Sequence, residues 1–187
     1  NLPVNLIANM GNISVDFLNL CGIAATGGAT FTNNEGADLG GNSGWTFNSM
    51  AAMDLFWVGG NGDWDDVANW SFNSGGPGGA CLPNGNTNVF FDGNSFTAPN
   101  QTVNVDVDQI SCLNMDWSGV SNSPTFQTLN ATVFSVFGSL SLNQNIDWNH
   151  IGVTQFLGNL TGNTITMAGQ TILGDVEFDG DGGAWTL

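Results

Sequence analysis

The sequence predicts an all-β chain folded as a parallel β-solenoid, with tandem β-sandwich modules as the alternative, and three observations lead there. Sustained helical spacing of apolar residues is nearly absent, because Gly, Asn and Thr interrupt every window. Apolar and polar residues instead alternate with period two, the signature of a strand with one buried face. From residue 101 onward these alternating runs succeed one another about every ten residues, which suits a repetitive architecture of short strands.

Taken in order, residues 1–53 read as the closing part of one β repeat unit followed by a connector over Asn48 to Asp54. Residues 54–187 read as a Trp/Gly-rich cap followed by the solenoid of the next unit. The cap is Phe56-Trp57-Val58-Gly59-Gly60-Asn61-Gly62-Asp63-Trp64, continuing to Asn69-Trp70-Ser71. Its three tryptophans fall within fourteen residues, dense enough to cover the end of a solenoid core.

Clear alternation then begins at Thr102-Val103-Asn104-Val105-Asp106-Val107-Asp108, where three valines share one side. It recurs at Val133-Phe134-Ser135-Val136-Phe137, Ser139-Leu140-Ser141-Leu142, Thr164-Ile165-Thr166-Met167 and Asp175-Val176-Glu177-Phe178-Asp179. Two echoes point to repetition. Met115-Asp116-Trp117 returns as Ile146-Asp147-Trp148, and Gly44-Trp45-Thr46-Phe47 as Ala184-Trp185-Thr186-Leu187. Few Asn-Gly hairpin signals lie between these runs, which favours stacked coils with Asn, Thr and Ser ladders over hairpins.

Charge narrows the function. The chain has no Lys or Arg, 16 Asp and Glu, and one His, giving a net charge of −16. No carboxylate–cation pair can form except through His150. The unbroken negative field repels nucleic acid and anionic membranes. No stretch approaches the length of apolar residues needed to span a bilayer. The chain opens at Asn1 without a basic leader and closes on Trp185-Thr186-Leu187 within an alternation, so it is expected to be an internal piece of a longer polypeptide.

Hard oxygen ligands are all this chain offers a metal, so bound Ca²⁺ is the expected counter-ion, with dispersed, solvated carboxylates as the alternative. Two clusters are candidates: Asn61, Asp63, Asp65 and Asp66 in one tight loop, and Asp179 with Asp181 before two glycines. The competing reading for both is an Asx-turn, in which the carboxylate caps nearby backbone amides. Of the three cysteines, none sits in a metal-binding spacing. Cys81 and Cys112, 31 residues apart, are expected to form a disulfide in an oxidising compartment, with buried free thiols as the alternative. Cys21 is left core-buried or partnered outside the chain.

Catalytic chemistry finds little to work with. His150 lacks a nucleophile motif, and Gly75-Gly76-Pro77-Gly78-Gly79 lacks the Lys of a phosphate loop. A carboxylate-pair glycosidase needs only two acids, for which Asp106, Asp108 and Asp116 are the candidates. Trp57, Trp64 and Trp70 are candidates for a glycan-stacking platform, weighed against a place in the core.

The run Trp57-Val58-Gly59-Gly60-Asn61-Gly62-Asp63-Trp64 with Asn69-Trp70-Ser71 resembles the opening of repeats in giant cell-surface adhesins of Bacteroidota. The likeness continues through Gly78-Gly79-Ala80-Cys81-Leu82-Pro83, Val89-Phe90-Phe91-Asp92, Val103-Asn104-Val105-Asp106, Cys112 and Met115-Asp116-Trp117 to Gly182-Gly183-Ala184-Trp185-Thr186-Leu187. Ala25-Thr26-Gly27-Gly28-Ala29-Thr30-Phe31, Asp38-Leu39-Gly40 and Gly44-Trp45-Thr46-Phe47 are similar to the endings of such units. The resemblance implies a non-catalytic, extracellular repeat of the gliding-motility adhesin type, exported by the type 9 secretion system. Its implied partners are surface glycans or the substratum, together with the secretion and cell-surface machinery of the outer membrane. A glycan-binding module or carboxylate-only hydrolase, and an extracellular filament subunit, are the alternatives. The complete absence of Lys and Arg departs from the family pattern.

Overall fold

In the computed structural model, residues 4–16, 18, 20–34, 41–48 and 51–187 are described. Asp38-Leu39-Gly40 and the Ser49-Met50 part of the connector lie outside them. The chain is all-β, 43% strand and 2% helix, and forms a parallel β-solenoid of about 8 turns. It divides into two units, Asn1–Ala51 and Ala52–Leu187.

The first unit is built from two parallel sheets. Strand Val4–Ile7 pairs with Ile23–Thr26, while Asn12–Asp16, Thr30–Asn34 and Trp45–Asn48 form a second sheet in that order. Phe31 is buried in the second sheet, and Trp45 of the following strand meets it edge-on, ring centroids 5.4 Å apart. On the outside, the Asn34 side chain donates to Asp16 at 2.8 Å and to Ser14 at 2.9 Å. Asn48 donates in turn to the Asn34 carbonyl at 2.8 Å.

The second unit is a three-faced solenoid. The first face is a seven-stranded sheet running from Trp70–Ser71 through Met53–Trp57, Thr87–Phe90, Asn114–Asp116, Leu140–Ser141 and Asn163–Thr166 to Trp185–Thr186. Gly62–Asp63, Thr102–Val105, Thr125–Thr128 and Asp147–Asn149 make the second face. Gln109–Cys112, Val133–Val136, Val153–Phe156 and Val176–Phe178 make the third. All the strand pairings described are parallel except that of Trp70–Ser71 with Met53–Trp57. That short antiparallel strand covers Phe56 and Trp57 at the edge of the first face.

Alternation explains the interior. On the first face Leu55, Val89, Met115, Leu140 and Ile165 pair in register and form one inward column, none more than 4% exposed. Val103, Phe126 and Trp148 form a column on the second face, and Cys112, Val136 and Phe156 on the third. Like residues stack because each coil sets its side chains above those of the last. Phe126 and Trp148 lie flat on each other at 4.5 Å, with ring planes 9° apart. Strand pairing joins each coil to the next, and a few large side chains such as Trp185, which donates to the Gly138 carbonyl, reach one coil further, so stability accumulates coil by coil.

The corners need close backbone approach. A Cβ on Gly152, between the second and third faces, would collide with the Thr132 carbonyl of the preceding coil, and one on Gly174 with the Gly152 carbonyl. Glycine at these stacked corners lets the coils close to strand-pairing distance.

The spacing differs from the ten-residue step expected. Val89 pairs with Met115 and Met115 with Leu140, 26 and 25 residues apart, whereas Phe134 pairs with Thr154 after only 20. Coils therefore carry three short strands with unequal corners, and counting alternating runs merged neighbouring strands such as Gln109–Cys112 and Asn114–Asp116. The Met115-Asp116-Trp117 echo is no coil repeat either. Met115 lies on the first face and Trp148 on the second. Solenoid stacking also begins earlier than residue 101, since Met53–Trp57 already pairs with Thr87–Phe90.

Candidate functional site

The Trp/Gly-rich segment forms the first coil of the second unit, and its tryptophans point inward. Trp57, Trp64 and Trp70 are 0%, 3% and 0% exposed. Trp57 and Trp64 each meet Trp70 edge-on at 5.1 and 4.8 Å, and all three pack on Phe91. Trp57 Nε1 donates to the Gly60 carbonyl at 3.1 Å and Trp70 Nε1 to the Trp64 carbonyl at 2.7 Å, so both polar edges are satisfied inside. A glycan-stacking platform on these rings is thereby corrected. Their faces are spent on one another, because a cluster this apolar gains more by leaving water than by facing it.

The acidic loop beside them is tied to the next coil and capped locally at Asp66. Asn61 Oδ1 accepts from Thr102 N at 2.7 Å, tying the loop to the next coil. Asp66 N-caps the short 3₁₀ turn Val67–Asn69, accepting from Ala68 N at 2.9 Å. Asp63 Oδ1 receives the Asn104 side chain at 3.4 Å. Asp65 is exposed and lines a surface groove of about 410 Å³ with Trp64, Leu82, Pro83 and Gln109. Asp179 and Asp181 are exposed after strand Val176–Phe178. Among the described residues no three His, Cys, Asp or Glu side chains gather into a metal-holding group. Asp66 makes the Asx-turn contact, accepting from the amide two residues on.

The Cys81–Cys112 disulfide is corrected as well: both thiols are free. Cys112 is fully buried in the inward column of the third face, where burial pushes its thiol pKa well up and keeps it neutral. Cys81 lies exposed in the loop between coils, its Sγ 3.4 Å from Met53 Sδ. Period-two alternation fixes Cys112 inward while Cys81 faces out, so no bond joins them. Cys21 is exposed, in place of the core position considered for it.

Of the candidate catalytic acids, Asp116 lies on a different face from Asp106 and Asp108. Asp116 sits on the outer side of the first face and caps Ser118 N at 2.7 Å. Asp106 and Asp108 are exposed beyond strand Thr102–Val105 on the second face, and Asp106 receives the Asn130 amide at 2.9 Å. His150 lies inside the solenoid. It is 0% exposed, and its ring nitrogens meet no side-chain partner, only the nearby Val153 backbone.

What the surface does display is a set of amide ladders that single-residue scanning did not isolate. Asn114 donates to Asn88 at 2.7 Å and Asn88 to Asp54 at 2.8 Å. Asn114 Oδ1 in turn accepts from Ser139 N at 2.6 Å. On the third face Gln155 accepts from Ser135 at 3.3 Å and donates to Glu177 at 2.8 Å. Carboxylates here take their hydrogen bonds from neutral amides one coil away. The recurrence of Asn after one coil length, at Asn88 and Asn114, was the available signal.

No helix among the described residues is long and apolar enough to cross a membrane. No protein-family model, curated protein or solved structure matches the chain.

Proposed function

We propose that this chain is a non-catalytic structural and adhesive segment of a large secreted cell-surface protein, of the kind that Bacteroidota export by the type 9 secretion system for attachment or gliding. The observation that carries the reading is the ladder from Asp54 through Asn88 and Asn114 to Ser139. It ties four successive coils together without a single cation, on a scaffold whose stability grows by adding like coils. Such an element extends contact surfaces away from a cell and has no need of a pocket. Its partners are surface glycans or the substratum at the outward faces, and the export and outer-membrane machinery that carries the parent protein.

Antibodies against the purified chain provide the test. They should label intact, unpermeabilised cells of the source organism and reduce their attachment. Labelling that requires permeabilisation, or release of reducing sugar from polysaccharide by the pure chain, would sink the proposal.

A glycan-binding module is the second reading, and one observation favours it. Phe56 and Phe90 stack at 5.0 Å as a half-buried pair on strands whose Leu55 and Val89 point inward. They share the outer side of the first face with the Asn88 and Asn114 ladder, a mixture of aromatic and amide groups suited to a neutral polysaccharide. Phe90→Ala that leaves glycan retention unchanged on affinity gels would remove this reading.

A further inference from the structure

Where the second face turns into the third, the interior carries a polar seam. Val105 pairs with Thr128 on the second face, and His150 follows one place beyond the Gln127–Asn149 pair. Across the corner Phe134 pairs with Thr154. Both His150 and Thr154 are fully buried. Phe134 meets the imidazole edge-on with centroids 5.9 Å apart, and Trp148 lies 6.3 Å from it. Thr128 Oγ1 is engaged by Ile151 N at 3.2 Å, but Thr154 Oγ1 has no hydrogen-bond partner, and the His150 nitrogens meet no side chain, only the nearby Val153 backbone.

No ionised group faces this seam from the strands packed around it. The inward residues of Thr125–Thr128, Val133–Val136 and Val153–Phe156 are Phe126, Thr128, Phe134, Val136, Thr154 and Phe156. Asp147 on the strand leading to His150 is exposed, as are Asp108, Asp175 and Glu177. Cys112, in the neighbouring column, is a neutral thiol. A neutral imidazole is tolerated in such a place. An imidazolium would lose its hydration with no counter-charge to replace it.

We propose that this seam is an acid-sensitive catch, and that gain of a proton at His150 releases the coil of residues 147–156 from its neighbours. The direction follows from linkage. Burial lowers the pKa of His150 below the ordinary 6.5, the Val153 backbone offsetting part of the effect. Between the lowered value and 6.5 the open form binds more protons. The stabilisation is therefore complete above pH 6.5 and is lost as pH falls beneath it. One proton per opening makes the open fraction grow about tenfold per pH unit within that window.

His150 is the sole imidazole, so its Cε1 proton gives one assignable NMR signal. In the folded protein that signal should keep its neutral shift as pH drops below 6.5. Amide protection at Trp148 and Thr154, corrected for intrinsic exchange, should fall about tenfold per pH unit below that point. In His150→Leu the same amides should hold constant protection, whereas Thr154→Val, which keeps the imidazole, should retain the pH dependence. A folded-state titration at or above 6.5, or an equal loss of protection in wild type and His150→Leu, overturns the proposal. Should His150→Leu fail to fold, the NMR titration of the unaltered protein decides alone.

Discussion

Asn114 donates its side-chain amide to the Asn88 carbonyl at 2.7 Å, and the two residues stand one coil apart on the outer side of the same sheet. Asn88 hands the donation on to Asp54. Removing the middle link by Asn88→Ala should cost about 1 kcal/mol in urea unfolding. Asn88→Asp should cost more, because it sets a second carboxylate against Asp54 and withdraws the donor. Equal stability of all three proteins would show that the ladder contributes nothing.

Corner glycines should separate sharply by position. Gly152→Ala drives a methyl into the Thr132 carbonyl and is expected to destabilise by about 3 kcal/mol, the upper end for overpacking, since backbone must move. Gly93→Ala meets nothing within 4 Å and should melt within a degree or so of wild type. Similar melting temperatures for the two variants would contradict the stacked-corner geometry.

Five of the seven tryptophans, Trp57, Trp64, Trp70, Trp117 and Trp148, are buried. Native emission should be blue-shifted and largely inaccessible to acrylamide, with a minor accessible fraction from half-buried Trp45 and Trp185. Phe91→Ala, which strips a ring from the cluster around Trp57 and Trp117, should cost about 4 kcal/mol. Strong quenching in the native state would place the cap rings at the surface after all.

Thiol labelling should follow exposure. Cys21 and Cys81 should react with a disulfide reagent in the native protein, and Cys112 only after denaturation. Reductant should leave the melting temperature unchanged. A drop on reduction would reveal a bond that the observed placement of Cys81 and Cys112 does not make.

Cations should act by screening. Asp54, Asp106 and Glu177 already accept hydrogen bonds from amides on adjacent coils, which disperses the negative charge over the faces. Raising NaCl from about 10 to about 300 mM should raise the melting temperature, and Ca²⁺ at matched ionic strength should add little. An extra Ca²⁺-specific rise reversed by EDTA would instead support cation binding at Asn61, Asp63, Asp65 and Asp66.

The strands were legible because alternation is local. Val103 and Val105, Phe134 and Val136, and Leu140 and Leu142 announce an inward side whatever they pair with, and each of these residues is buried. The weakest expectations concerned residues whose chemistry depends on a partner. An exposed Asp63 and a buried Cys112 look equally reactive in a string of letters. The burial of Trp57, Trp64 and Trp70 likewise depends on Phe91, which lies more than twenty residues further along the chain.

By itself the sequence determined an all-β chain, stacked coils over hairpins, and hydrogen bonding without cations, since period-two patterning, turn chemistry and the missing Lys and Arg are properties of short segments or of composition. Only the tertiary structure decided the unequal coil lengths, the amide ladders, the free thiols and the buried His150. Each of those depends on which residues lie one coil above, and corner lengths, which no local period encodes, set that distance.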